Sequence, residues 1–191
     1  MKAKAAIEKN PGRKQIRQYL CVGVFAVLLA VLLCTVEKAE IYGSSMEPTL
    51  MEGDDILVEK LSYQIRSPQR FDIVIFRYRD GKSDEGYRLY AKRIIGLPGE
   101  TIQIIAGEVY LNGERLSEPQ VSEPVLKPGR AAFPVILGED EYFLLGDNRN
   151  ASADSRSSDI GNVHKSSILG RVMFRIGSTE GKAKDEKEKL R

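Results

Sequence analysis

The chain has 191 residues, 29 Lys and Arg against 27 Asp and Glu, and a net charge of +2. That length holds one ordinary domain plus an anchor, or at most two small domains sharing a core, and excludes a large multidomain machine. The basic residues Lys2, Lys4, Lys9, Arg13, Lys14 and Arg17 crowd the N-terminus with few aromatics among them and no zinc or helix-turn-helix pattern, which argues against nucleic acid as a partner.

After this basic stretch of residues 1–18 comes YLCVGVFAVLLAVLLCTV, residues 19–36, which carries no charge. As a helix it spans roughly 27 Å at about 1.5 Å per residue, close to the hydrocarbon thickness of a bilayer, and it is read as a transmembrane helix. Arg13, Lys14 and Arg17 precede it, and Glu37, Lys38 and Glu40 follow. The positive-inside rule then leaves the N-terminus in the cytoplasm and residues 37 onward outside, as expected of a single-pass protein of the cell membrane. A cleavable secretory signal has the same basic start and apolar middle. This run is long for one, and Cys34, Thr35, Val36, Glu37 and Lys38 lack a clean pair of small residues. Leu33 before Cys34 also fails the lipoprotein pattern, which needs a small residue there.

The only cysteines, Cys21 and Cys34, fall inside the apolar run, so disulfides and thiolate-bound metals are excluded from the rest of the chain. The sole histidine, His164, cannot build a multi-histidine metal site. No metal and no cofactor is expected.

Beyond the anchor, DILVEK at 55–60, DIVIFRY at 72–78 and EYFLL at 141–145 are short and rich in β-branched and aromatic residues, and they predict strands. Within TIQIIAGEVYLNGERL, residues 101–116, Asn112-Gly113 is flanked by alternating residues and predicts a hairpin closed by a tight primed turn. Gly and Pro recur from Gly53 to Gly138 and leave little room for long helices, so residues 37–177 are expected to form a mainly β domain. Residues 117–140, with four prolines, read as an excursion from the main sheet. The polar stretch 178–191 reads as a disordered tail.

Ser45 lies in IYGSSMEPTL, where Gly43 and Pro48 shape a loop and Met46 and Leu50 give it apolar footing. It is the ninth residue after Val36, so even an extended chain holds it within roughly 30 Å of the anchor's end. A serine in a turn is commonplace, but one at this height would meet substrates at the bilayer surface. As a nucleophile it needs a base, and the choices are His164 or a lysine whose pKa burial has lowered. Lys92, in LYAKRIIGLPGE, has Leu89, Tyr90, Ile94 and Ile95 around it and is the better candidate. A third cluster, GDNRNASADSR at 146–156, packs Asp147, Arg149, Ser152, Asp154, Ser155 and Arg156 into one loop. Ser152, Asp154 and Arg156 share one side if that backbone is extended, giving a hydroxyl to orient a lysine and an ion pair to brace the floor.

Taken together, SMEPTL at 45–50, GDDILVEK at 53–60, RFDIVIFR at 70–77, KRIIGLPGE at 92–100 and GDNRNASADSR at 146–156 resemble the bacterial type I signal peptidases over nearly all of residues 41–177. The single N-terminal anchor resembles the shorter, one-span members. The resemblance implies a β catalytic core with a small inserted β region at about 101–140, and a membrane-bound serine endopeptidase that removes signal peptides from exported preproteins. It implies Ser45 as nucleophile and Lys92 as general base, with Ser152 holding the Lys92 amine and Asp154 and Arg156 paired in support. Asp147 and Arg149 match the motif's other charged positions and read as structural. Cleavage is implied after small residues in an Ala-X-Ala-like pattern, the substrate lying extended between the segment just before Ser45 and that around Leu89 to Ala91, with Met46 and Tyr90 as wall residues. Preproteins and membrane lipid are the implied partners; the sequence leaves the oligomeric state open. The chain departs from the family pattern at three places. Gly43 stands where some members carry an oxyanion-holding serine, Asn150-Ala151 follows GDNR where Asp-Asn is usual, and Glu100 replaces an aspartate. An oxyanion would then depend on backbone N–H groups, chiefly that of Ser45.

Overall fold

The computed structural model describes residues 11–79, 86–121 and 123–178. The basic positions Lys2, Lys4 and Lys9 and the expected tail beyond Ser178 lie outside the described residues. The chain divides into two units, residues 1–36 and 37–191.

In the first unit, α1 (Pro11–Thr35) runs for 25 residues. Pro11 suits a first turn, where the missing N–H has no intrahelical partner to lose. Among the described residues no helix is long and apolar enough to cross a membrane. The side chains at 28, 29 and 31–34, inside the span read as a membrane helix, lie outside the described residues.

The second unit is mainly β, as the sequence predicts. A seven-stranded sheet has the order β1 (Val36–Glu40), β2 (Asp54–Glu59), β11 (Ile168–Ser178), β3 (Ile73–Tyr78), β4 (Arg88–Gly96), β9 (Glu141–Leu145) and β10 (Val163–His164). One short helix, α2 (Ser62–Ile65), connects β2 to β3. A second sheet of four strands has the order β7 (Glu114–Arg115), β6 (Glu108–Leu111), β5 (Thr101–Ile105) and β8 (Val135–Ile136). The chain leaves the large sheet at Glu100 and returns at Leu137, and the two ends are tied by the Leu137 N–H to the Glu100 carbonyl at 2.9 Å. The small sheet is thus an insertion between β4 and β9.

The apolar strands of the large sheet feed cores on both faces, because successive side chains point opposite ways. On β9, Tyr142 and Leu144 join Val74, Phe76 and Ile94 in one cluster. Phe143 and Leu145 face the other way, into a cluster with Ile95, Ile102 and Leu137. The second cluster fastens the inserted sheet to β4 and β9. Two-sided burial explains why DIVIF and YFLL read as continuous apolar runs rather than alternating ones.

The Asn112-Gly113 turn closes the β6–β7 hairpin, with φ of 51° and 86° at its two central residues. A second positive-φ pair, Ala106 at 50° and Gly107 at 85°, closes β5 onto β6. Both hairpins use the primed geometry that matches strand twist.

Candidate active site

The Ser45 loop is closed at its base by β-type hydrogen bonds, Ile41 N–H to the Asp54 carbonyl at 2.9 Å and Gly53 N–H to the Ile41 carbonyl at 2.8 Å. Inside it, Met46 and Leu50 are buried against Ile41, Ile56 and Val58. The apolar footing expected from the sequence therefore exists, and it turns Met46 inward: at 1% exposed its side chain supports the loop from beneath. Met46 as a substrate-facing wall is corrected accordingly, since an apolar side chain in that position gains more from the core than from solvent. Ser45 itself is half-buried.

Lys92 sits on β4 directly across from Val74 on β3, on the same face as Tyr90 and Ile94. It is 1% exposed. Its Nζ donates to Ser45 Oγ at 2.7 Å and to the Ala91 carbonyl at 3.0 Å, and stands 5.3 Å from the centre of the Tyr90 ring. No carboxylate touches it among these contacts. Burial brings its pKa down from 10.5 to about 8, while the more distant carboxylates of Asp154 and Asp147 pull it upward. Ser45 Oγ and the Lys92 amine, expected from the sequence as nucleophile and base, are therefore in contact.

Loop 146–156 lies under this pair. Asn148 N–H donates to the Ser45 carbonyl at 3.1 Å, and the Asn148 side-chain amide donates to the Ser44 carbonyl at 3.2 Å. Asp147 accepts both ends of Arg93, from Nε at 2.8 Å and from a terminal nitrogen at 2.6 Å, and also the Thr49 hydroxyl at 2.5 Å. Asp154 and Arg156 form a two-point ion pair, each bond 2.8 Å, and Asp154 also accepts the Gly146 N–H at 3.1 Å. Arg149 is paired with Glu118. Ser152 Oγ is buried without a hydrogen-bond partner, so the bond expected from it to Lys92 is not made here; with two of its bonds going to Ser45 and Ala91, the amine keeps capacity for a third. Ser152 is nevertheless close to the Ser45 loop. A Cβ built on Gly146 would stand 2.3 Å from Ser152 Oγ and 2.4 Å from the Ser45 carbonyl.

Tyr90 and Ala91 are half-buried. Tyr90 packs its ring against Phe76 and Tyr78, at 5.9 and 5.7 Å between centres, and borders a cavity of about 580 Å³ shared with Ala153, Ser157 and Ile160. β9 pairs with β4 only from Arg93 onward, so Leu89 to Ala91 have β3 on one side and no paired β9 residue on the other. His164 is on the edge strand β10, with Nδ1 against Ser166 Oγ at 2.8 Å. Sequence reading did not find Arg93, Thr49 or Glu118. Arg93, the neighbour of Lys92, was the one with a visible signal, a second cation directly beside Lys92 and just before the apolar pair Ile94-Ile95.

A sequence model of the family described as signal peptidase, peptidase S26, matches residues 14–177. The chain belongs to this family. It is 41% identical over 156 residues to a probable signal peptidase I-2 of Synechocystis sp., covering 80% of this chain and 69% of that one. To the signal peptidase I of Bacillus licheniformis it is 36% identical over 164 residues, 79% of this chain and 85% of that one. A crystal structure of a signal peptidase I from Enterococcus faecalis is 37% identical and covers 56% of this chain and 98% of that chain, with a TM-score of 0.44. Against the signal peptidase pattern, Gly43 keeps a φ of 78° with open space where a Cβ would stand, so backbone conformation rather than crowding favours glycine there. Glu100 accepts Arg70 at 2.9 and 2.5 Å and the Leu97 N–H at 2.8 Å, bracing the turn that leads into the inserted sheet.

Proposed function

We propose that this chain is a membrane-bound serine endopeptidase that removes signal peptides from exported preproteins, with Ser45 as nucleophile and Lys92 as general base. The observation that carries this reading is the 2.7 Å contact between Lys92 Nζ and Ser45 Oγ, made by a lysine that burial has brought to about 8. The neutral amine takes the Ser45 proton as Oγ attacks the scissile carbonyl carbon, and the Ser45 N–H faces the oxyanion that forms. The resulting ammonium gives its proton to the leaving amine, which frees the mature protein and leaves the signal peptide as an ester on Ser45. Lys92 then takes a proton from a water that attacks the ester carbonyl carbon, and as the ester C–O bond breaks the ammonium returns that proton to Ser45 Oγ, which restores both groups and releases the signal peptide. Ser152 Oγ, with no other bond to break, is available to hold the ammonium. The Asp154–Arg156 and Asp147–Arg93 pairs fix the floor beneath it.

The substrate binds by adding a strand beside Leu89 to Ala91, where backbone bonds give affinity and shallow pockets by Tyr90 and Ala91 select small residues in an Ala-X-Ala-like pattern. The uncharged run 19–36 anchors the chain in the cell membrane with its N-terminus cytoplasmic, which brings Ser45 to preproteins at the bilayer surface. Separate Lys92→Ala and His164→Ala variants test the base: preprotein cleavage is expected to fall by about 10³-fold or more in the first and to persist in the second. Retained cleavage without Lys92 overturns the assignment.

A further inference from the structure

One buried ion pair at the site has no role in this scheme. Arg149 is 1% exposed and its partner Glu118 9%. Glu118 lies in the excursion after β7, far from the motifs that mark the site in sequence. The Arg149 terminal nitrogens donate to the two Glu118 oxygens at 2.8 and 2.5 Å, while Nε donates to the Gly146 carbonyl at 3.0 Å. Three bonds from one rigid plane fix the guanidinium and, through it, the Gly146 peptide.

We propose that Glu118 is a positioning residue for the catalytic loop, acting through Arg149 to set where residues 146–152 meet the Ser45 loop. This rests on the reading of Ser45 and Lys92 as the reacting pair. Gly146 has little room for displacement, since its Cα hydrogen already faces Ser152 Oγ and the Ser45 carbonyl. Two residues on, Asn148 N–H holds that same Ser45 carbonyl. Without its carboxylate partner, a guanidinium this buried is uncompensated and must turn toward water, taking its bond to Gly146 with it.

The excursion grips the loop a second time at Asn150, one of the departures from the family pattern. The Asn150 amide donates to the Pro124 carbonyl at 3.1 Å and to Glu123 at 3.3 Å, and its oxygen accepts the Leu126 N–H at 3.0 Å. An aspartate at 150 has no proton to donate and would face the Glu123 carboxylate. The amide therefore suits this excursion, and both contacts assign the inserted region a part in holding the catalytic loop.

The test compares full-length wild type with Glu118→Gln and the milder Glu118→Asp, whose arm, shorter by one methylene, sets the carboxylate back from the Arg149 donors. Arg115→Gln, which breaks an exposed pair with Glu108, is the control. Amide hydrogen exchange at residues 146–156 is expected to quicken by about tenfold or more in Glu118→Gln, with β2 and β11 unchanged. On a peptide substrate, kcat is expected to fall about tenfold with KM within about twofold, and Glu118→Asp to lie between. The proposal is overturned if exchange in the loop stays as in wild type. It is equally overturned if exchange quickens while kcat holds, or if exchange quickens across the whole domain in both variants, which marks a merely structural pair. A parallel Ser45→Ala variant separates the two readings: cleavage that survives it removes the reacting pair, while loop exchange still decides whether Glu118 holds the loop.

Discussion

Lys92 has no carboxylate within bonding distance among its contacts and lies against Val74, Tyr90 and Ile94, so its charged form is costly and its pKa stands near 8 rather than 10.5. The proposed role as general base requires the neutral amine, so on that proposal activity grows as the proton leaves. On a substrate for which chemistry limits the rate, kcat/KM is expected to rise through about pH 8 and level above it. A flat profile between about pH 6 and 9 contradicts the assignment. The same shift sets a sign for stability. Between about 8 and 10.5 the unfolded chain holds the proton that the folded chain has lost, so the Lys92 contribution to stability grows as pH rises through that window. The apolar neighbours of Lys92 are adjacent in sequence and were legible there. The unpartnered state of Ser152 was not, because it depends on where loop 146–156 and β4, which are distant in sequence, set the hydroxyl and the amine.

At the scale of elements, the strands 72–78 and 141–145 were legible from runs of β-branched and aromatic residues, and the β6–β7 hairpin from Asn112-Gly113. The β5–β6 hairpin was not, because Ala106 is a poor signal for a left-handed position. Loop 146–156, dense in short polar groups, has the composition of a solvated turn; Asp147, Arg149, Asp154 and Arg156 are in fact buried. Their partners Arg93, Thr49 and Glu118 come from distant segments, and sequence spacing cannot pair them. Gly146 is closely enclosed at the start of this loop. Gly146→Ala places a Cβ against Ser152 Oγ and the Ser45 carbonyl, and is expected to lower stability by about 1–3 kcal/mol and kcat by more than the lost folded fraction explains. Urea melts beside initial rates check this, and an alanine variant with wild-type kcat counts against tight packing there.

For the whole molecule, the proposal joins an anchor to a β domain whose nucleophile lies nine residues past Val36. A chain lacking residues 1–35 is expected to leave the membrane fraction while still cleaving a short soluble peptide, measured by vesicle sedimentation and peptide assay. Continued tight sedimentation contradicts the anchor reading. Membership in the signal peptidases rests on motifs spread over most of the chain, whereas the reacting pair rests on one contact between β4 and the Ser45 loop. The most direct test of that contact is cleavage of a preprotein with an Ala-X-Ala site by wild type and by Ser45→Ala. Wild type is expected to cut after the second alanine and Ser45→Ala to lose about 10³-fold or more in rate; equal cleavage by the two would contradict the account.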